Sequence, residues 1–167
     1  FRLGRRPAAN REVQDRASRL ACRLGLRRVR VFESRSLTGP IAFGLIRPAV
    51  GLPTDFAGRF SPAQQDVMLA HELAHVAGRD PAWNGLADLL TTILWWNPVV
   101  WWARRRLRTA AETAADEASL LVADGPGVLA ECLLEFAGRV MPPEARVGMG
   151  VAGRGFRSYL GRRIERL

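Results

Sequence analysis

Cysteine is scarce in this sequence: Cys22 and Cys132 are the two among 167 residues. Two thiols cannot staple a small disulfide scaffold, and they read most simply as small buried side chains. Lysine is absent, so all 25 basic residues are arginines. Histidine occurs twice and tyrosine once. No uninterrupted apolar run reaches the about 20 residues that a membrane-crossing helix needs, which excludes a many-span channel. The chain opens Phe1-Arg2-Leu3 without an initiator methionine, and it reads as a domain excised from a longer protein.

Hydrophobic residues make up 48% of the chain and charged ones 25%, which excludes a disordered tail or a collagen-like fibre. The length suits one globular domain. Against the 25 arginines stand 16 acids, for a formal charge of +9. An all-arginine surface can reflect genome base composition alone. Its functional readings are a nucleic-acid surface or contact with anionic lipid headgroups. Zinc-finger, RNP-like and glycine-rich phosphate motifs are all missing, which ranks nucleic acid lowest.

Residues 8–25 read as an amphipathic helix, with Val13, Ala17, Leu20, Ala21 and Leu24 on one face and Gly25 as its stop. Val29 to Phe32 alternates like a strand. Ile41 to Leu45 and Ala49 to Leu52 read as two further strands, one at an edge because of the neighbouring prolines. Ser61, Pro62 and Gln64 form a helix-start signature, and that helix runs through Leu73 and Val76 to Gly78. Asp80-Pro81 looks like the cap of another helix.

Residues 86–102, LADLLTTILWWNPVVWW, are the most apolar stretch and hold four of the five tryptophans. Arg104, Arg105, Arg106 and Arg108 follow at once. Tryptophans beside arginines suit a helical hairpin lying against or dipping into a bilayer. The plainer reading is a hairpin buried in a core with a solvated basic face. Helix resumes from about Pro98 to Ala123 and again from Val128 to Arg139. Gly148 to Gly155 reads as a loop, and 156–167 as a short basic helix.

The chemistry lies in His71-Glu72-Leu73-Ala74-His75, inside the helix that Ser61 caps. Positions i and i+4 share a helix face, so both imidazoles can reach one metal ion. Glu72 is turned too far round the helix to be a natural third ligand, yet it can hold a water beside the metal and take its proton. The plainer reading is two histidines on a half-buried face. These are the chain's only histidines, however, and chance would rarely space both this way around a glutamate. A catalytic zinc usually takes three protein ligands. The third must be a carboxylate, from among Asp80, Asp88, Glu112, Asp116 and Glu117. Asp80 is more simply a helix cap. Glu112 lies in the helix after the hydrophobic hairpin, where the chain can return antiparallel to the first helix. Asp116, one turn on, could hold a ligating histidine by its free ring nitrogen.

HELAH, Asp80, the apolar segment with Asn97-Pro98 and its tryptophans, the arginines, then Glu112-Thr-Ala-Ala-Asp116-Glu117 resemble, in that order, the membrane-embedded zinc peptidases of the BlaR/MecR type. These are sensor-transducers of beta-lactam resistance and their relatives. GPIAFGLIRPAVGLP resembles the strand region ahead of the zinc helix in that family, and Ser158 to Leu167 resembles the end of its peptidase domain. The resemblance implies a gluzincin site: His71, His75 and Glu112 binding Zn2+, Glu72 as base, and Asp116 behind a ligand. It implies a substrate strand at Ile41, Ala42, Phe43, Gly44 and Leu45. It also implies flanking transmembrane helices, a position on the cytoplasmic side of the cell membrane, and a protein substrate such as a transcriptional repressor or the protease itself. Where the family commonly has a cysteine before the aspartate, this chain has Ala115.

The expected fold is α+β and mainly helical: one zincin-like domain over residues 1–167. It would have a small antiparallel sheet, and a hydrophobic helical hairpin between the HExxH helix and the Glu-ligand helix. The expected function is a zinc-dependent endopeptidase. Tyr159, Arg154 and Arg157 are candidate oxyanion donors, and lipid meets the Trp/Arg hairpin. The rival from another class is a non-catalytic zinc-binding signalling module that acts through partner contacts, against which the intact Glu72 argues.

Overall fold

The computed structural model describes residues 6–7 and 10–140, with side chains from 10 to 132. Arg154, Arg157 and Tyr159, the glycine-rich segment and the basic C-terminal stretch lie outside the described residues.

The elements run β1 (Arg6–Pro7), α1 (Arg11–Arg23), β2 (Arg30–Ser34), β3 (Ile41–Phe43), β4 (Ala49–Pro53), α2 (Phe56–Arg59), α3 (Pro62–Ala77), α4 (Asp80–Ile93) and α5 (Pro98–Glu117). A 3-10 turn (Ala118–Leu121) and α6 (Gly125–Val140) follow. Helix α1 starts where Asn10 Oδ1 accepts the Glu12 N–H at 2.9 Å. It buries Val13, Ala17, Leu20 and Ala21, the face its spacing predicts.

The sheet departs from the expected antiparallel one. Its order is β1-β2-β4-β3, with β2 and β4 parallel and the outer pairs antiparallel. The reason lies in composition. All five residues of β4, Ala-Val-Gly-Leu-Pro, are buried, so β4 enters the middle of the sheet beside β2. The partly exposed β3 is left at the edge. Gly51 fits because a Cβ there would stand 2.9 Å from Leu37 Cδ1 and 3.1 Å from the Phe43 ring. The predicted strand Ile41 to Leu45 stops at Phe43, because Gly44 takes φ +98° and turns the chain. Gly44 and Leu45 therefore belong to the hairpin tip.

Helix α3 is the hub. Ser61 and Gln64 form the predicted capping box, with Pro62 in the first turn. Val67, Leu69, Ala70 and Leu73 are fully enclosed, packed among α1, the sheet, α5 and α6. Beyond Gly78, Arg79 adopts φ 55° and reverses the chain into α4. The cap of α4 is thus Arg79, not Asp80. Asp80 is the first helical residue, and its carboxylate turns back to α3.

Helices α4 and α5 form the expected hairpin, with Asn97 accepting the Val99 N–H at 2.9 Å to start the second arm. Glu112 is not on a separate helix after the hairpin: the 20-residue α5 is at once the second arm and the helix that carries Glu112. The chain needs no further turn, because a helix of that length spans about 30 Å and reaches from the tryptophan end back to α3. None of the described helices is long and apolar enough to cross a membrane.

Candidate metal centre

His71 and His75 project from one face of α3, and their Nε2 atoms stand 3.3 Å apart. Glu112, on α5, brings Oε2 to 3.8 Å from His71 Nε2. One donor atom from each of His71, His75 and Glu112 lies within 4.8 Å of the others. Two nitrogens bound at about 2.05 Å to one tetrahedral ion stand about 3.3 Å apart, so the imidazole spacing suits a shared zinc.

The far side of each ring faces an acid. His75 Nδ1 lies 2.7 Å from Asp80 Oδ2. His71 Nδ1 lies 3.3 Å from Asp116 Oδ1, off the line of a good hydrogen bond. A carboxylate accepts, so His75 Nδ1, at hydrogen-bond distance from Asp80, carries the hydrogen and leaves its Nε2 free to bind a cation. The 3.3 Å between the two Nε2 atoms is a spacing that one shared cation fits. The donor set, two imidazoles and a carboxylate, fits a divalent cation such as zinc.

Asp80 was mistaken for a cap at the sequence level. A sign was available in Gly78, two residues ahead: a Cβ there would stand 2.9 Å from Asp80 Oδ1. Glycine leaves room for the carboxylate to fold back under His75. The remaining acids are elsewhere. Asp88 is half exposed and bridges the two arms of the hairpin, 2.6 Å from Arg104 Nε and 3.4 Å from Arg108. Glu117 is exposed at the end of α5.

A cleft of about 300 Å³ opens over this cluster. His71, Glu72, His75 and Glu112 line it from α3 and α5, Pro40, Ile41 and Ala42 from the β3 side, and Asp80, Pro81 and Asn84 from α4. Of the five predicted strand residues, Ile41 and Ala42 border the cleft. Phe43 packs its ring 6.1 Å from that of Phe32, and Leu45 reaches α4 beside Gly85.

Glu72 sits where strand and helix meet. Burial pushes its carboxyl up, against the pull of the two imidazoles and of the Ala42 backbone N–H, while the charge of Glu112 adds to the rise. A carboxylate raised in this way takes up a proton more readily than an exposed one. Asn84, which also lines the cleft, has no signature in the sequence, since an asparagine inside a helix carries no motif.

The family model described as BlaR1 peptidase M56 matches residues 4–130, which include every residue of the cleft. Regulatory protein BlaR1 of Bacillus licheniformis is 37% identical over 97 residues, covering 57% of this chain and 16% of that protein. The methicillin resistance mecR1 proteins of Staphylococcus aureus and Staphylococcus epidermidis are each 25% identical over 88 residues, covering 53% of this chain and 15% of theirs. The chain thus spans about a sixth of the length of these curated relatives.

Proposed function

The chain belongs to the BlaR1 peptidase M56 family, and from that premise we propose that it is the zinc-dependent endopeptidase domain of a membrane signalling protease. Residues 1–167 form a single zincin-like gluzincin domain in this reading. The observation that carries it is the pair of Nε2 atoms 3.3 Å apart, each ring backed by an aspartate, with Glu112 alongside.

His71, His75 and Glu112 hold the zinc. When bound, zinc supplies a Lewis acid that polarises the scissile carbonyl and makes nearby water more acidic. Asp80 and Asp116 fix the orientation and tautomer of the two rings. Glu72 takes the proton of the attacking water and delivers it to the departing amine. The peptide lies extended along the open edge of β3 at Ile41 and Ala42 and adds to the sheet through its main chain. What supports a base at this edge is the pull of the Ala42 N–H on the Glu72 carboxylate.

The substrate in this reading is a cytoplasmic protein, such as a transcriptional repressor, or the protease itself. The domain works on the cytoplasmic side of the cell membrane, with the α4–α5 hairpin against lipid. What supports the lipid contact is the exposure of Trp95 (69%), Trp96 (64%) and Trp102 (61%), close to the arginines of α5.

The test is Glu72→Gln in the zinc-loaded chain, with fluorescein-labelled β-casein as probe. The variant keeps stoichiometric zinc and loses cleavage by at least about 100-fold, the usual scale of general-base catalysis. Unchanged cleavage would remove the peptidase mechanism. Zinc binding without cleavage in the parent chain would leave the signalling-module reading in its place.

A further inference from the structure

Asn84 stands one turn beyond Asp80 on α4, at the i+4 position and so on the same helix face. Asp80 uses that face to reach His75, and Asn84 lines the same cleft. Its Oδ1 is buried and has no hydrogen-bond partner among the described residues. Buried side-chain acceptors are ordinarily matched, and an unmatched one opposes folding. No described residue uses that oxygen, and it sits in the wall of a cleft whose other side is the edge of β3.

An extended peptide has main-chain N–H and C=O groups on both of its edges. Pairing with β3 satisfies one edge and leaves the other facing α4 unmatched. A side-chain amide carries an acceptor oxygen and two donor hydrogens, which is the complement of a peptide unit. Its last torsion is soft, so the amide can turn to present either end.

We propose that Asn84 is a substrate-binding residue: its amide pairs with the peptide main chain on the edge opposite β3 and so sets which bond lies over Glu72. The ligand is peptide backbone, so the contact is indifferent to substrate side chains. The inference rests on the cleft being a peptidase site.

The experiment uses zinc-loaded chain and fluorescein-labelled β-casein, with cut sites mapped by mass spectrometry. Asn84→Ala raises KM about ten-fold, as expected for hydrogen bonds lost equally from bound substrate and transition state, and cuts at additional positions. Its zinc stoichiometry matches the parent and its Tm is no lower. Asn84→Leu, which keeps the volume and removes the unmatched oxygen, has the same KM defect with an equal or higher Tm. Parent KM and parent cut sites in both variants overturn the proposal. So does a lower Tm in both, which would make the amide part of the scaffold. If the parent itself fails to cut, the peptidase reading falls first and Asn84 falls with it. If the parent cuts and the variants cut identically, only Asn84 is refuted.

Discussion

The two faces of the α4–α5 hairpin invert the usual arrangement of a helix at a protein surface. Towards α3 it presents acids and an amide: Asp80, Asn84, Glu112 and Asp116. On the surface that no other described element covers, much of it towards the Trp95–Trp96 turn, it presents Trp83, Leu89, Ile93, Trp95, Trp96 and Trp102, all more than half exposed. An ordinary surface helix hides its apolar stripe and shows its charges. Here the charges are held inside by two imidazoles, and the apolar stripe is left without a partner among the described residues. The proposed zinc would account for the inner face, since a cation offsets the charge of clustered acids. The proposed lipid neighbour would account for the outer face, since contiguous exposed apolar patches are uncommon on isolated soluble domains. One hairpin thus joins two environments, and each can be disturbed while the other is watched.

The inner face should break hardest at Glu112. Glu112→Ala removes one of the three proposed ligands, and zinc affinity should fall by more than about 100-fold on the scale of a lost ligand, beyond the 10–100-fold of a lost supporting group. Metal content of the purified variant beside the parent measures it. Equal stoichiometric zinc in both would strike Glu112 from the ligand set and leave the inner face without its reason.

The next largest effect sharpens the comparison within the inner face. The contact of Asp80 with His75 is short, at 2.7 Å, while that of Asp116 with His71 is 3.3 Å and off line. Asp80→Asn should therefore weaken zinc towards the upper end of the about 10–100-fold range for such supporting acids, and Asp116→Asn towards the lower end. Zinc competition with a fluorescent chelator gives both numbers. The reverse ranking would mean that the ring of His71, not that of His75, is the one whose orientation limits binding.

Much of this architecture was legible in the residues. Ser61, Pro62 and Gln64 marked the start of α3, and the two histidines at i and i+4 pointed to the cluster that Glu112 joins. The return of Glu112 and Asp116 to that helix was expected from the hairpin, although α5, which carries them, is itself the second arm. What escaped depended on partners distant in sequence. The mixed sheet arises because β4 can be buried on both faces and β3 cannot, which is decided by packing against α3. Asp80 looked like a cap because aspartate before proline usually is one. Its true partner becomes apparent only when Arg79 takes the left-handed conformation and Gly78 vacates the space. Asn84 left no mark at all, since its significance lies in a partner it does not have within the fold. The apolar run was equally compatible with a core hairpin, and hydropathy alone cannot say on which side of a helix the protein lies.

The smallest predicted effect falls on the outer face. Trp96 and Trp102 are the residues to change, because the Trp101 indole N–H donates to the Trp95 carbonyl at 2.9 Å and so helps close the hairpin. Trp102 also lies under Arg106, whose guanidinium carbon is 5.7 Å from its ring centre. Indole at the headgroup level with a cation beside it is the arrangement expected against an anionic bilayer. The double variant Trp96→Ser, Trp102→Ser should bind phosphatidylcholine–phosphatidylglycerol vesicles about ten-fold more weakly in a flotation assay, the equivalent of one partly buried aromatic side chain. Its zinc content should be unchanged, because neither residue borders the cleft. Vesicle binding equal to the parent would remove lipid as the neighbour of the outer face. Loss of zinc in the same variant would show that the two faces are not independent, and that the apolar stripe holds the acids in place from behind.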